Sequence, residues 1–265
     1  IDALATRSLN AVNAISVCPV CTPHRASLLT GRFPTSTGMF LNDLYLPAEE
    51  RCMAEIFEES GYDTGYIGKW HLDGHGRDSY IPPERRQGFD YWKVLECTHD
   101  YNNSYYYAGD NDTKLKWDGY DAYPQADDAK AYICGHANGE KPFLLFVGFG
   151  GPHFPHNNAP EELRELYPVD EIELRPNVPE ELRDKAKGEL QGYYAHCTAI
   201  DNCVGDIYKT LEETSVAENT IFVFTSDHGD MFGSQGKRPW RKQLPWDEAL
   251  CVPFLMCYPQ IHDGG

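Results

Sequence analysis

The sequence predicts an α/β protein, a layered sandwich built on a largely parallel central sheet. Three apolar runs carry this reading: Thr64 to Gly68, Phe143 to Phe149 and Thr220 to Thr225 each suit a strand buried on both faces. Helical patterns alternate with them, as parallel sheets require. Each run leads straight into polar residues: Lys69 and His71 after the first, His153 after the second, Asp227 and His228 after the third. In open α/β sheets the site lies beyond the carboxyl ends of the strands, so the three clusters are expected to converge.

Taken in order, Ile1 to Ala5 reads as a helix already under way, with no start signal before it, so the native N-terminus is expected to lie upstream. In Val20-Cys21-Thr22-Pro23-His24-Arg25 the pattern predicts a short helix, with Thr22 as N-cap, Pro23 in the first position and Gly31 just past the end. Met53, Ile56 and Phe57 give a second helix its apolar face, and Gly61 stops it. From about Asp73 to Ala126 the chain turns rich in Tyr, Asp, Asn and Gly and loses clean periodicity, which predicts an insertion bordering the site. The prolines between Pro152 and Pro179 predict an irregular connection. Leu190, Tyr194, Cys197, Ile200, Val204, Ile207 and Leu211 recur at helical spacing and read as a core-facing stripe.

With 265 residues the chain is long enough for one large domain. Its 41 acidic residues outweigh 23 basic ones, and a net charge of −18 argues against nucleic acid or an anionic membrane surface as partner. An anionic substrate therefore needs a local cationic cluster. No apolar run approaches the roughly 20 residues that span a bilayer. The nine cysteines are scattered rather than spaced as a small disulfide scaffold.

Cys21 sits at the mouth of its helix, and Arg25, four residues on, projects along the same face. Free helix N–H groups and a guanidinium together suit an anion. The residues alone leave three readings of Cys21: a thiolate nucleophile, half of a C-x-x-C redox or zinc pair with Cys18, or a small buried residue at a strand-helix junction.

The stretch from Cys21 to Arg32, a C-x-P-x-R followed by Ala-Ser-Leu-Leu-Thr-Gly-Arg, resembles the signature of the type I sulfatases, with His24 where serine is commoner. That resemblance implies an alkaline phosphatase-like α/β/α sandwich with a mostly parallel central sheet. It also implies that a formylglycine-generating maturation enzyme oxidises Cys21 to formylglycine. The aldehyde hydrate carries two hydroxyls on one carbon: one attacks sulfur, and the other expels the bound sulfate as the carbonyl re-forms.

Other segments resemble the family in the same order. In Gly68-Lys69-Trp70-His71-Leu72 the likeness implies that Lys69 contacts the sulfate and the formylglycine, and that His71 assists loss of the hydrate proton. In Gly151-Pro152-His153-Phe154-Pro155 it implies that His153 meets the sulfate near the leaving group and protonates the departing oxygen; His156 reads as a loop histidine. Asp227 and His228, with the group derived from Cys21, are implied to bind a divalent cation, usually Ca2+, while Asp230 reads as structural. Lys242, before Trp246-Asp247 and Val252-Pro253, is implied to be the second active-site lysine, with Lys237, Arg238 and Arg241 as nearby competitors.

The family's initial strand ending in paired aspartates, and its C-terminal subdomain, have no counterpart in residues 1–265. A single catalytic domain incomplete at both ends is therefore expected, with a weakened or empty metal site. The resemblance implies a sulfuric-ester hydrolase acting on aryl or carbohydrate sulfates. A phosphonate monoester or phosphodiester hydrolase of the same superfamily, and an inactive sulfatase-like fragment, are the alternatives. The compartment is not readable from the chain; the family implies periplasmic, secreted or lysosomal placement.

Overall fold

The computed structural model describes residues 1–236, 240–258 and 260. In chain order the elements are α1 (Asp2–Ala5), β1 (Leu9–Asn10), α2 (Cys21–Thr30), α3 (Pro34–Thr37), α4 (Met53–Glu59), β2 (Asp63–Lys69), β3 (Tyr91–Leu95), β4 (Tyr105–Ala108) and β5 (Leu115–Lys116). There follow α5 (Ala122–His136), β6 (Phe143–Gly148), α6 (Glu161–Arg164), α7 (Arg183–Glu213), β7 (Phe222–Thr225), α8 (Asp247–Leu250) and β8 (Phe254–Cys257).

The α/β sandwich is present. A five-stranded sheet runs in the order β5-β4-β3-β2-β6, with β2 parallel to both β3 and β6, while β4 and β5 extend it antiparallel. Period-2 alternation sends Ile67, Leu145, Val147 and Leu95 to one face, where α5 and α7 cover them. Tyr66, Phe146, Trp92 and Val94 point to the other face, against Ala26 and Leu29 of α2 and Ala54 of α4. Helices on both faces explain why β2 is buried along almost its whole length.

The third predicted strand departs from expectation. It is shorter, Phe222–Thr225, and belongs to a separate antiparallel sheet in the order β1-β8-β7. Its faces are not closed: Ile221 is 59% and Val223 47% exposed. Among the described residues, β6 and β7 each end their sheet with an unpaired edge, although both pack against the core that α7 covers. A cavity of about 350 Å³ lies between Phe224 and Ser226 on one side and Tyr193, Cys197 and Ile200 of α7 on the other.

Residues 73–126 contribute more to the sheet than their irregular pattern indicates. They supply β3, the parallel neighbour of β2, and lead into α5, a core helix. Their aromatics pack inward: Tyr106 stacks on Trp117 at 4.4 Å, and Tyr107 is buried. The expected long helix is α7, whose buried face includes Ala195, Ala199, Ile200, Val204, Ile207 and Leu211. Residues 152–179 hold only short turns and α6 among the regular elements.

The turn into the site depends on two glycines. Gly68 has φ +94°, and a Cβ there would lie 2.4 Å from the Gly148 carbonyl oxygen. A Cβ on Gly148 would in turn lie 2.7 Å from the Lys69 carbonyl oxygen. The ends of β2 and β6 approach this closely because neither carries a side chain.

Candidate active site

The helix that presents Cys21 begins two residues earlier than expected. Val20 is the N-cap, with extended backbone and no capping side chain, and Gly31 ends the helix in the left-handed conformation. Thr22 does not cap because its hydroxyl is used elsewhere, donating to the His71 carbonyl at 2.8 Å. The cap comes instead from outside the helix: Asn42 Oδ1 accepts the Thr22 N–H at 3.0 Å. The first turn of α2 is thereby tied to the loop after β2 through His71 and to the stretch between α3 and α4 through Asn42.

Cys21 is buried at 2% exposure, and the predicted clusters converge on it. Lys242 Nζ lies 3.1 Å from Cys21 Sγ, 3.0 Å from His153 Nε2 and 2.7 Å from His228 Nε2. His228 Nε2 is itself 3.2 Å from the sulfur, and Lys69 Nζ stands at 3.8 Å. Arg25 spans the floor, its Nη1 donating to the Lys69 carbonyl at 2.7 Å and to the Tyr66 hydroxyl at 3.1 Å, with Nε 3.5 Å from Asp227. All eight predicted site residues are thus in one place, supplied by the N-terminus of α2, the exits of β2, β6 and β7, and the segment before α8. Lys237 and Arg238 lie outside the described residues; Arg241 turns away to Glu189, Asp230 and the face of Phe154.

The electrostatics follow from crowding cations around one thiol. Burial alone would raise the Cys21 pKa, but Lys69, His153, His228 and His71 hold it well below the ordinary value. Burial pulls His153 down to about 3, so it is neutral at neutral pH. Its Nδ1–H donates to the Phe154 carbonyl at 2.9 Å, which leaves Nε2 to accept from Lys242. Burial pulls His228 down as well, but Asp227 and the Cys21 thiolate outweigh it and the pKa rises. Asp227 resists burial through His228, Arg25 and Lys69, and its carboxyl falls to about 2.

Several residues of this neighbourhood carry no motif. Asp43 accepts from His71 Nε2 at 2.9 Å and from Arg77 at 2.8 and 2.9 Å. Glu96, buried at the end of β3, accepts the backbone N–H groups of Leu72, Asp73 and Gly74. His156 is not a free loop residue; it is buried at 4% exposure, beside Phe232 and Glu189. Burial or a bidentate ion pair marks these groups, and neither leaves a trace in a single sequence.

A family model described as Sulfatase matches residues 1–263. The chain belongs to the sulfatase family. An ulvan-active sulfatase from Formosa agariphila is 53% identical over 261 residues, covering 98% of this chain and 51% of the relative. An endo-4-O-sulfatase from Bacteroides thetaiotaomicron is 32% identical, covering 98% and 56%. The crystal structure of a putative sulfatase, yidJ, from Bacteroides fragilis superposes with a TM-score of 0.90 at 30% identity, covering 97% of this chain and 62% of that one. The chain spans about half the length of the curated relatives it matches.

Sulfatases as a family use Ca2+ and formylglycine, and the described residues fit these two unequally. Calcium takes about six to eight oxygen ligands. Among the described residues, the group of three or more His, Cys, Asp or Glu side chains able to converge on one ion is Cys21, His153 and His228, a sulfur and two nitrogens. Asp227 adds one carboxylate, already facing Arg25. Soft donors amid three cations do not make a calcium site. The surroundings of Cys21 do fit a hydrated aldehyde, since cationic and imidazole groups surround the position its two hydroxyls would take. No helix among the described residues is long and apolar enough to cross a membrane.

Proposed function

We propose that this chain is the catalytic part of a sulfuric-ester hydrolase acting on sulfated carbohydrate, with Cys21 converted to formylglycine by a maturation enzyme. One observation carries the reading: Arg25, Lys69 and Lys242 bring permanent cations to a buried nucleophile position at a helix N-terminus, in a protein whose net charge is −18. Such a field serves an anionic group and its transition state, against the global charge. Cys21 Sγ stands where an oxygen of the hydrate would be.

The contacts support these roles. Lys69 and Lys242 hold the sulfuryl oxygens, Arg25 fixes the Lys69 carbonyl, and His71 accepts the proton of the attacking hydroxyl. His153, neutral and already accepting from Lys242, orients that ammonium; the proton for the departing oxygen comes from Lys242. Loss of the Cys21 thiolate on maturation removes an influence that raises the His153 pKa, so the assignment also suits the matured protein.

The open edges of β6 and β7 and the solitary Asp227 carboxylate support a further part of the reading. A strand bearing carboxylates, contributed from outside these residues, completes both the sheet and the Ca2+ site. The choice of sulfated carbohydrate rests on the two relatives, one named for activity on ulvan and the other for an endo-4-O-sulfatase.

The test is hydrolysis by the full-length protein matured in its native host. Rates on p-nitrophenyl sulfate, phosphate and phosphonate esters are compared, then sulfate release from sulfated polysaccharides. Sulfate release is expected to dominate. A preference for either phosphorus ester would reject the proposal, as would an unmodified Cys21 in active protein on intact-mass analysis of its peptide.

A further inference from the structure

Asp43 and His71 meet in an arrangement that the chain maintains at some cost. Both are non-glycine residues in the left-handed region, with φ of +63° and +60°. That conformation disfavours side chains with a Cβ and persists where surrounding contacts over-determine it. Here the contacts are several. Arg77 clamps the Asp43 carboxylate through Nε at 2.9 Å and Nη2 at 2.8 Å, and the Arg77 carbonyl is itself held by Tyr105 and by the Cys97 N–H. The Asp43 N–H reaches Thr22 Oγ1, whose hydroxyl also holds the His71 carbonyl.

The chemistry of the pair is directional. An ionised carboxylate only accepts, so the 2.9 Å contact to Asp43 Oδ1 requires the proton of a neutral His71 to sit on Nε2. Arg77 and His71 hold the Asp43 carboxyl at about 2, and burial holds His71 below its ordinary value. The other ring nitrogen, Nδ1, is buried and makes no well-formed hydrogen bond among the described residues; the group that perturbs it is the Cys21 thiol. A buried imidazole nitrogen left unpaired is costly and points to a partner that arrives with the reaction.

We infer that Asp43, clamped by Arg77, is a positioning residue that fixes the tautomer of His71 and so keeps the Nδ1 lone pair free to accept the proton of the nucleophile at position 21. This rests on the function proposed above for its catalytic consequence, but not for the tautomer itself.

The test uses the full-length, host-matured protein. Nitrogen-15 NMR of labelled histidine reads the tautomer of His71 directly, and the Nε2–H form is expected; the Nδ1–H form in the unaltered protein would overturn the inference without any variant. Asp43 Oδ1 accepts from both Arg77 Nε and His71 Nε2, so an asparagine oxygen in its place would keep both bonds; Asp43→Leu instead removes the acceptor altogether, and the Nδ1–H tautomer of His71 is no longer excluded. With the wrong tautomer, kcat is expected to fall about a hundred- to ten-thousand-fold with KM nearly unchanged. Adding Arg77→Ala should cost little further kcat, because Arg77 acts through the carboxylate already removed, whereas independent structural losses would add. Asp43→Leu with unchanged kcat, or a double variant clearly slower than Asp43→Leu, would reject the role. Should the unaltered protein release no sulfate, the proposed function fails, and the NMR result still decides the Asp43–His71 relation.

Discussion

Replacing Glu96 by glutamine sets two opposing effects against each other in the loop that carries Lys69 and His71. The side chain is 2% exposed, with Oε1 accepting from Asp73 at 2.9 Å and Gly74 at 3.2 Å, and Oε2 accepting from Leu72 at 3.3 Å. Three N–H donors favour the ionised form, but burial outweighs them and lifts the carboxyl from 4.5 to about 7. A pKa raised on folding contributes stability that is fully present below the unfolded value and is lost as pH rises through the folded one. The window is therefore pH 4.5 to 7, and at about 1.4 kcal/mol per pH unit the loss is roughly 3 kcal/mol.

Glutamine is neutral throughout this range but lacks an acceptor for the Leu72 N–H, which costs about 1 kcal/mol. The variant should thus match the parent within about 0.5 kcal/mol at pH 5 and be about 2 kcal/mol more stable at pH 8. Urea unfolding of the full-length proteins at the two pH values, followed by tryptophan fluorescence, measures both differences. Equal destabilisation at pH 5 and pH 8 would mean that the three N–H groups prevail over burial and that Glu96 is ionised in both, which would refute the reasoning.

Asp121, 1% exposed and lifted by burial to about 7, should behave alike: Asp121→Asn flattens the fall in stability between pH 4 and 7 in the same unfolding assay. Lys242→Met removes the ammonium shared by Cys21, His153 and His228 and should lower kcat about a hundred- to thousand-fold in a sulfate-release assay. Arg25→Lys cannot span the Lys69 carbonyl and the Tyr66 hydroxyl together and should cost about 1–3 kcal/mol of stability by urea unfolding. Cys21→Ser keeps a hydroxyl but no second one to expel sulfate, so mass spectrometry should find at most one sulfate retained per chain and no steady turnover.

The site was readable where chemistry follows directly on a strong pattern. Lys69, His71, His153, Asp227 and His228 stand immediately after apolar strands, and Cys21 and Arg25 share a helix turn. Asp43 and Arg77 lie in loops, where a carboxylate and a guanidinium look like ordinary solvated charges, and their meeting depends on folding over 34 residues. β3 is hidden because Lys93 interrupts its apolar run; the ammonium escapes to Asp128 of α5. α5 packs with small residues, Ala122, Ala126 and Ala129, which leave no conspicuous stripe. The apolar character of β7 was visible, but its antiparallel partner β8 was not, because pairing direction depends on the whole topology and not on a local period.

The place of Lys242 has a consequence for what can enter the site. Its ammonium stands about equally near a thiol and two imidazoles that face one point. Those three donors are the kind that capture zinc or copper. A soft metal could reach them only by driving out a resident cation and settling beside Arg25 and Lys69. An ester of an oxyacid faces no such barrier, since its oxygens are drawn to the same ammonium and leave it in place. One lysine thus guards the unmatured thiol against metals while leaving the same place open to oxyanions.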